Sequence, residues 1–404
     1  MSGRSSSYRT VTRLPDVSRL LAAAFCARLA GRMFALAIVL YSLSRFGSAA
    51  LAGWISFASM LPGIAISPLA GALLDRMGAP RTILLDLLAS FLLLTLLVAF
   101  DVASAMSLPL LLVIVVLYSL SSPLSAAGIR TLLPRLVPEI ARDRVNALDA
   151  GSYALVDVLG PAIAGLLVGF AGAPITLSVI AALYGLAAAV LIPLVRSQRI
   201  VVATGIATSL FAEALAGLCY VLRHATLRQL AIAYSLYQMS FGILLIAVPV
   251  AVLRFASPGA ADSAVGLLWA LSGVAGGIGA LYAGRIGASG REHAVIIGGT
   301  LATAVAIWPT AVLFEPYGLV VGLLLIGFLA GPVDVGVLSL RQRETDPAWL
   351  GRSLAVSMGL NMAGLPIGAA AGGLLATCAP ALMLPVAACA SLLAATTMAR
   401  RRRF

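Results

Sequence analysis

Long apolar stretches alternate with short polar gaps along the whole chain, and about twelve of the stretches reach the twenty or so residues that a helix needs to cross a bilayer. Spans are expected near 18–43, 50–73, 82–101, 107–127, 146–170, 174–195, 229–252, 264–283, 294–314, 318–339, 353–376 and 380–398. The longest polar interruption, 196–228, divides them six and six. It carries an amphipathic stretch, with Leu210, Phe211, Ala214, Leu215, Leu218, Val221 and Leu222 set against Glu213, Arg223 and Arg228, which predicts a helix lying on the membrane surface. The expected organisation is all-α: a tail at 1–17, a six-helix bundle at 18–195, the linker at 196–228, a second six-helix bundle at 229–398 and a basic tail at 399–404.

Composition sharpens this into a polytopic membrane protein. The chain is 61% hydrophobic and 10% charged, with a mean hydropathy of +1.06, whereas roughly a quarter of a soluble domain is charged. A core cannot hide that much apolar surface, so lipid must solvate it. The net charge of +12 would suggest nucleic acid in a soluble protein. Here all 27 basic residues are arginine, and all except Arg28, Arg32, Arg45 and Arg254 fall at the termini or in every second gap. By the positive-inside rule this predicts both termini in the cytoplasm and anionic headgroups, not nucleic acid, as the partner of the charge. The first span is too long for a signal peptide, is interrupted by Arg28 and Arg32, and lacks a small-x-small cleavage site, so it is expected to remain as a membrane anchor.

Several classes of chemistry drop out. Cys26, Cys219, Cys378 and Cys389 show no CxxC spacing, which points to neither disulfides nor a metal site. His224 and His293 fall in polar gaps and offer no proton relay. A chain without lysine has no Walker lysine, so it is not expected to hydrolyse ATP. No nucleophile, histidine dyad or ligand cluster lies at membrane depth, and no enzyme activity, cofactor or metal is expected.

The two halves resemble each other. Leu74-Asp75-Arg76-Met77-Gly78 precedes Ala283-Gly284-Arg285-Ile286-Gly287 by 209 positions, Pro123 precedes Pro332 by the same distance, and Pro161 precedes Pro366 by 205. Duplicated halves are a transporter signature and place a substrate path between them. The loop from Gly71 through Asp75, Arg76 and Gly78 to Arg81 resembles the G-x-L-x-D-R-x-G-x-x-R motif of the major facilitator superfamily, with Ala79-Pro80 where a basic pair is usual. The resemblance implies twelve transmembrane helices in two pseudo-symmetric bundles, the major facilitator fold. Physically, Gly78 permits a tight reversal, Arg76 and Arg81 hold the cytoplasmic face, and Asp75 can accept from the exposed N-terminus of the eleventh span. It is expected either to latch a gate or simply to fix the turn.

In the fifth span, Gly160-Pro161 with Gly165 is similar to a shortened form of the Gly-Pro motif of superfamily antiporters; proline kinks a helix, and small residues let another approach. Pro347 to Arg352 and Pro138 to Ala147 look like loops of the branch that includes the enterobactin exporter and macrolide-efflux proteins. That branch implies export of bulky amphipathic compounds.

Charges at membrane depth point to mechanism, because each is costly unless paired or hydrated. Arg28 and Arg32 share one face of the first helix, and Asp157 lies at a depth similar to Arg32. Asp157 is expected to pair with one of them, either as a switch broken by protonation or substrate, or as a static ion pair. Asp334 is a second candidate proton site, Asp149 is expected to be less central, and Asp86 is expected to join the network around Arg76 and Arg81. Tyr118, Tyr153, Tyr234, Tyr237, Gln238, Trp269 and Asn361, with Phe241, Met358 and Met362, are candidates to line the cavity. The expected function is proton-coupled efflux of an amphipathic small molecule such as a drug, siderophore or lysolipid. Proton-coupled uptake and a non-transporting receptor or scaffold are the alternatives, and a monomer suffices. The resemblance places the chain in a bacterial-type cytoplasmic membrane.

Overall fold

The computed structural model describes residues 14–138, 141–197, 210–286, 290–307, 317–346 and 359–400. Among them the regular structure is helical throughout. The first half runs α1 (Pro15–Phe46), α2 (Ala49–Ala58), α3 (Leu61–Met77), α4 (Ala79–Val102), α5 (Leu108–Leu132), α6 (Arg142–Ala171) and α7 (Ala173–Ser197). The second runs α8 (Leu210–Arg223), α9 (Ala225–Val252), α10 (Pro258–Ile286), α11 (Glu292–Ile307), α12 (Tyr317–Glu344), α13 (Gly364–Cys378) and α14 (Met383–Ala399). Eleven stretches are long and apolar enough to cross a membrane, and α11 is a shorter apolar helix in the place of the ninth expected span. The second span breaks into α2 and α3 just before Pro62, where a residue without an N–H is best tolerated at a helix start.

Local chemistry accounts for the tight reversals. The Ser48 side chain accepts from Leu51 N–H at 3.3 Å and caps α2. Between α3 and α4 the chain reverses at Gly78 alone, with φ of 80°, a conformation side chains rarely adopt. Pro80 then falls at the start of α4, where its fixed φ suits the first turn.

Inside the first half, α1 packs against α6 and α7, and α4 packs against α5 and α7. In the second, α9 packs against α13 and α14, and α12 against α10 and α11. The halves meet where α6 lies along α10 and α2 along α13. Leu, Ile, Val and Ala fill the interior, while Phe170, Val102, Leu281 and Val305 stand on the outside at 66–84% exposure. A perimeter of large apolar side chains requires lipid as its solvent.

The amphipathic linker helix α8 docks on α3 and α9. Val221 is fully buried with Leu227 and Ala231, and Tyr220 Oη accepts from Asp346 N–H at 3.2 Å.

Candidate functional site

The site grows out of one close helix crossing. A side chain at Gly160 would collide with the backbone and Cβ of Arg32, so α6 and α1 come this close here because position 160 is glycine. One turn earlier on α6, Asp157 then accepts from Arg32 Nε at 2.6 Å. Arg28, one turn along α1, donates through Nη2 to Asp149 at 2.7 Å and through Nη1 to Ser152 Oγ at 2.5 Å, with its guanidinium 3.8 Å from the centre of the Tyr153 ring.

These two ion pairs differ in surroundings. The side chains of Arg28 and Asp149 are 10% and 16% exposed, whereas those of Arg32 and Asp157 are 50% and 45% exposed. Arg28 is locked in place by a carboxylate, a hydroxyl and a ring; Arg32 and Asp157 face open space. Asp149, expected to be less central, belongs in this group as the partner of Arg28. Its signal in the sequence was the spacing of eight to Asp157, about two helical turns, which sets the two carboxylates near one face of the helix.

The second half contributes across the seam. Asp334 on α12 accepts from Tyr234 Oη of α9 at 2.6 Å. Tyr234, Asp334, Arg341, Asn361 and Met362 line a cleft of about 200 Å³. Arg341 falls in one of the arginine-rich gaps expected on the cytoplasmic side, but it is 3% exposed within α12, two turns from Asp334. Gln238 lies beside this cleft, its amide 3.7 Å from Met362 Sδ.

Other expected cavity residues turn out to be packing. Tyr118 is buried, its hydroxyl 2.6 Å from that of Tyr184 and its ring against Phe34. Tyr237 is buried against Thr303 and Phe241. Both rings sit on inward helix faces, which hydropathy alone does not separate from cavity faces. Trp269 packs into the main core, with its indole N–H buried and unbonded among the described residues. Met358 and the loop Pro347 to Arg352 lie outside the described residues.

Asp86 is also placed differently from expectation. Its partners are Ser90, Ser121 and Ser125, not Arg76 and Arg81, which are exposed. Arg76 lies at the end of α3 and Arg81 in the first turn of α4, while Asp86 lies about a turn and a half further along and faces α5. Gly71 and Asp75 fall in the last turns of α3, and their surroundings lie outside the described residues, as does the start of the eleventh span.

The Gly-Pro stretch splits its work. Gly160 packs within the first half, while Gly165 crosses to the second, where a side chain would strike Gly266 of α10. Gly169 meets Gly259 and Ser263, and Gly273 meets the Asp157 carbonyl. At the same end, Gly53 of α2 lies against Gly373 of α13. The arginine-poor end of the seam is therefore tightly closed.

Over residues 20–369 the sequence matches the Major Facilitator Superfamily. A relative from Sinorhizobium fredii, named "Uncharacterized MFS-type transporter y4rN", is 45% identical over 392 residues, covering 97% of this chain and 96% of its own length. The nucleoside transporter NupG superposes with a TM-score of 0.75 at 14% identity, covering 96% of this chain and 99% of that one. A bacterial homologue of the iron transporter ferroportin in its inward-facing state gives 0.74 at 17% identity, covering 96% and 98%. Such distant structures speak to the fold alone.

Proposed function

The chain belongs to the major facilitator superfamily, and from that premise we propose that this transporter exports a bulky amphipathic small molecule in exchange for protons. It is a membrane carrier and not an enzyme. The observation that carries the coupling is the half-exposed pair between Arg32 and Asp157. An ion pair in open space at membrane depth is held together weakly enough to exchange partners. A basic or hydroxylated group of the substrate takes the ionised Asp157 in place of Arg32 while the rest of the molecule lies in the cleft, and a proton arriving from outside neutralises Asp157 and displaces that group, so that proton and substrate occupy the carboxylate in turn, as exchange requires.

With the arginine-rich end in the cytoplasm, the closed end of the seam faces outward, and the half-exposed Arg32 and Asp157 are read as reached from the inside. An exporter loads its cargo in that state. Arg32 and Arg341 suit an anionic group, Asp334 and Tyr234 a basic or hydroxylated one, and Met362 an apolar body. A zwitterionic or anionic amphiphile, in the class of siderophores and lysolipids, fits this set as well as a cationic drug. Export of such cargo is supported by the loop around Pro138 to Ala147, which resembles that of the efflux branch.

The test is reconstitution in liposomes with a panel of amphipathic compounds and a pH-sensitive dye. Wild type should show substrate-induced proton movement, and Asp157→Asn should abolish it while still binding the compound. Proton movement that persists in Asp157→Asn and disappears in Asp334→Asn would transfer the coupling role to α12.

A further inference from the structure

Trp269 occupies a junction on α10. Leu267, Leu271, Val274 and Ile278, at 38–56% exposure, mark the lipid side of that helix. Gly259, Gly266 and Gly273 lie against α6, while Ser272 and Gly276 lie against Gly327 of α12 and Gly279 against Phe328. At about 3.6 residues per turn, Trp269 falls about 60° from Gly266 and about 60° from Ser272, on the side away from lipid. The indole is therefore turned toward the middle of the molecule, between α6 and α12. Along the helix axis it stands about 4.5 Å inward of Gly266, where the seam is shut, and about 6 Å outward of Gly273, which is level with Asp157.

That position carries an energetic liability. An indole has one donor and no acceptor, so its nitrogen needs an oxygen to meet it. With the outer seam closed the nitrogen is buried and meets none among the described residues. A donor buried without a partner destabilises the state that buries it, and a phenylalanine ring would fill apolar surroundings without that loss. Opening changes the balance. The ring sits at the inner limit of the closed α6–α10 contact, one turn inward of Gly266. Parting the two helices there uncovers the inward face of α10 from the outer side and lets water reach the nitrogen.

We propose that Trp269 sets the balance between the two states of the carrier: its indole N–H goes without a partner while the outer seam is closed and gains one, water or an acceptor on the cargo, when the seam opens. The closed state is raised relative to the open one by that difference. The backbone contacts at Gly165 and Gly169 pull the other way, because they bring dispersion contacts that exist only in the closed state. Alternating access needs both states to be populated, since a carrier held in one of them moves nothing. This role rests on the carrier reading above, and on no property of the cargo or the coupling ion.

The test follows opening of the outer seam in the purified full chain in nanodiscs, at one pH and without cargo. With Cys26, Cys219, Cys378 and Cys389 replaced by serine, Ser263→Cys places a thiol where α10 meets Gly169, and its reaction with a water-soluble maleimide reports how often that contact parts. Trp269→Phe keeps an aromatic ring and removes the donor. Labelling should slow roughly tenfold, and the thermal midpoint should rise. Benzothienylalanine at position 269 sets sulfur in place of the N–H in a ring of the same shape, and it should act in the same direction. Labelling of the sulfur variant at the wild-type rate or faster overturns this role, whatever phenylalanine does; slowing by phenylalanine alone traces to ring size. Trp269→Phe should slow labelling equally in an Asp157→Asn background, so a failure of proton coupling and a failure of this role read out separately.

Discussion

Two arginines one helical turn apart meet different fates. Arg28 is enclosed by Asp149, Ser152 and the Tyr153 ring, so removing its charge strands a mostly buried carboxylate. Breaking such a pair typically costs about 3 kcal/mol or more. Arg32 and Asp157 are half-exposed, and pairs in that setting contribute under about 1 kcal/mol. Arg28→Ala should therefore lower the thermal midpoint of the purified protein by several degrees, by the order-of-magnitude scaling of stability with temperature. Arg32→Ala should leave the midpoint nearly unchanged while abolishing substrate-induced proton movement. Scanning fluorimetry beside the liposome assay separates the two; equal loss of stability in both variants would make Arg32 a structural residue.

At the level of elements, glycine decides which helices touch. On α10, Gly259, Gly266 and Gly273 recur every seven residues, two helical turns, and each meets α6 near Gly169, Gly165 and Asp157 respectively. Small residues at such a repeat allow backbone to lie against backbone, so dispersion contacts and shape hold the seam without polar glue. A seam of that kind closes without stored ion pairs and can part again at little desolvation cost. Gly165→Leu should keep α6 and α10 apart and favour the state open at the arginine-poor end. In a background lacking Cys26, Cys219, Cys378 and Cys389, a cross-link between Ala171→Cys and Ser257→Cys should form readily with Gly165 present and be strongly reduced with leucine there. Undiminished cross-linking would show that closure does not depend on this contact.

For the whole molecule, the charge distribution and the site make one joint prediction. If the arginine-rich end lies in the cytoplasm, Ser104→Cys in the turn after α4 should react with a membrane-impermeant maleimide in intact cells. Ser197→Cys at the end of α7 should react only after permeabilisation. The reverse pattern would turn the cavity to face outward and favour uptake over export.

Hydropathy and arginine placement were enough to define the membrane class and the helical spans, because crossing a bilayer is a one-dimensional requirement on length and polarity. The Gly71 to Arg81 motif with the duplicated landmarks pointed to the family for the same reason: both are local in the chain. The grouping of Asp149 with Arg28, the burial of Arg341, the retreat of Tyr118 and Tyr237 into packing and the serine shell around Asp86 were decided only by tertiary structure. In spans this apolar the usual alternation of polar and apolar faces is almost absent, so the sequence does not say which way a helix is turned. That rotation is set by small residues on neighbouring helices, as at Gly160 against Arg32 and Gly165 against Gly266, and it exists only once the helices are packed.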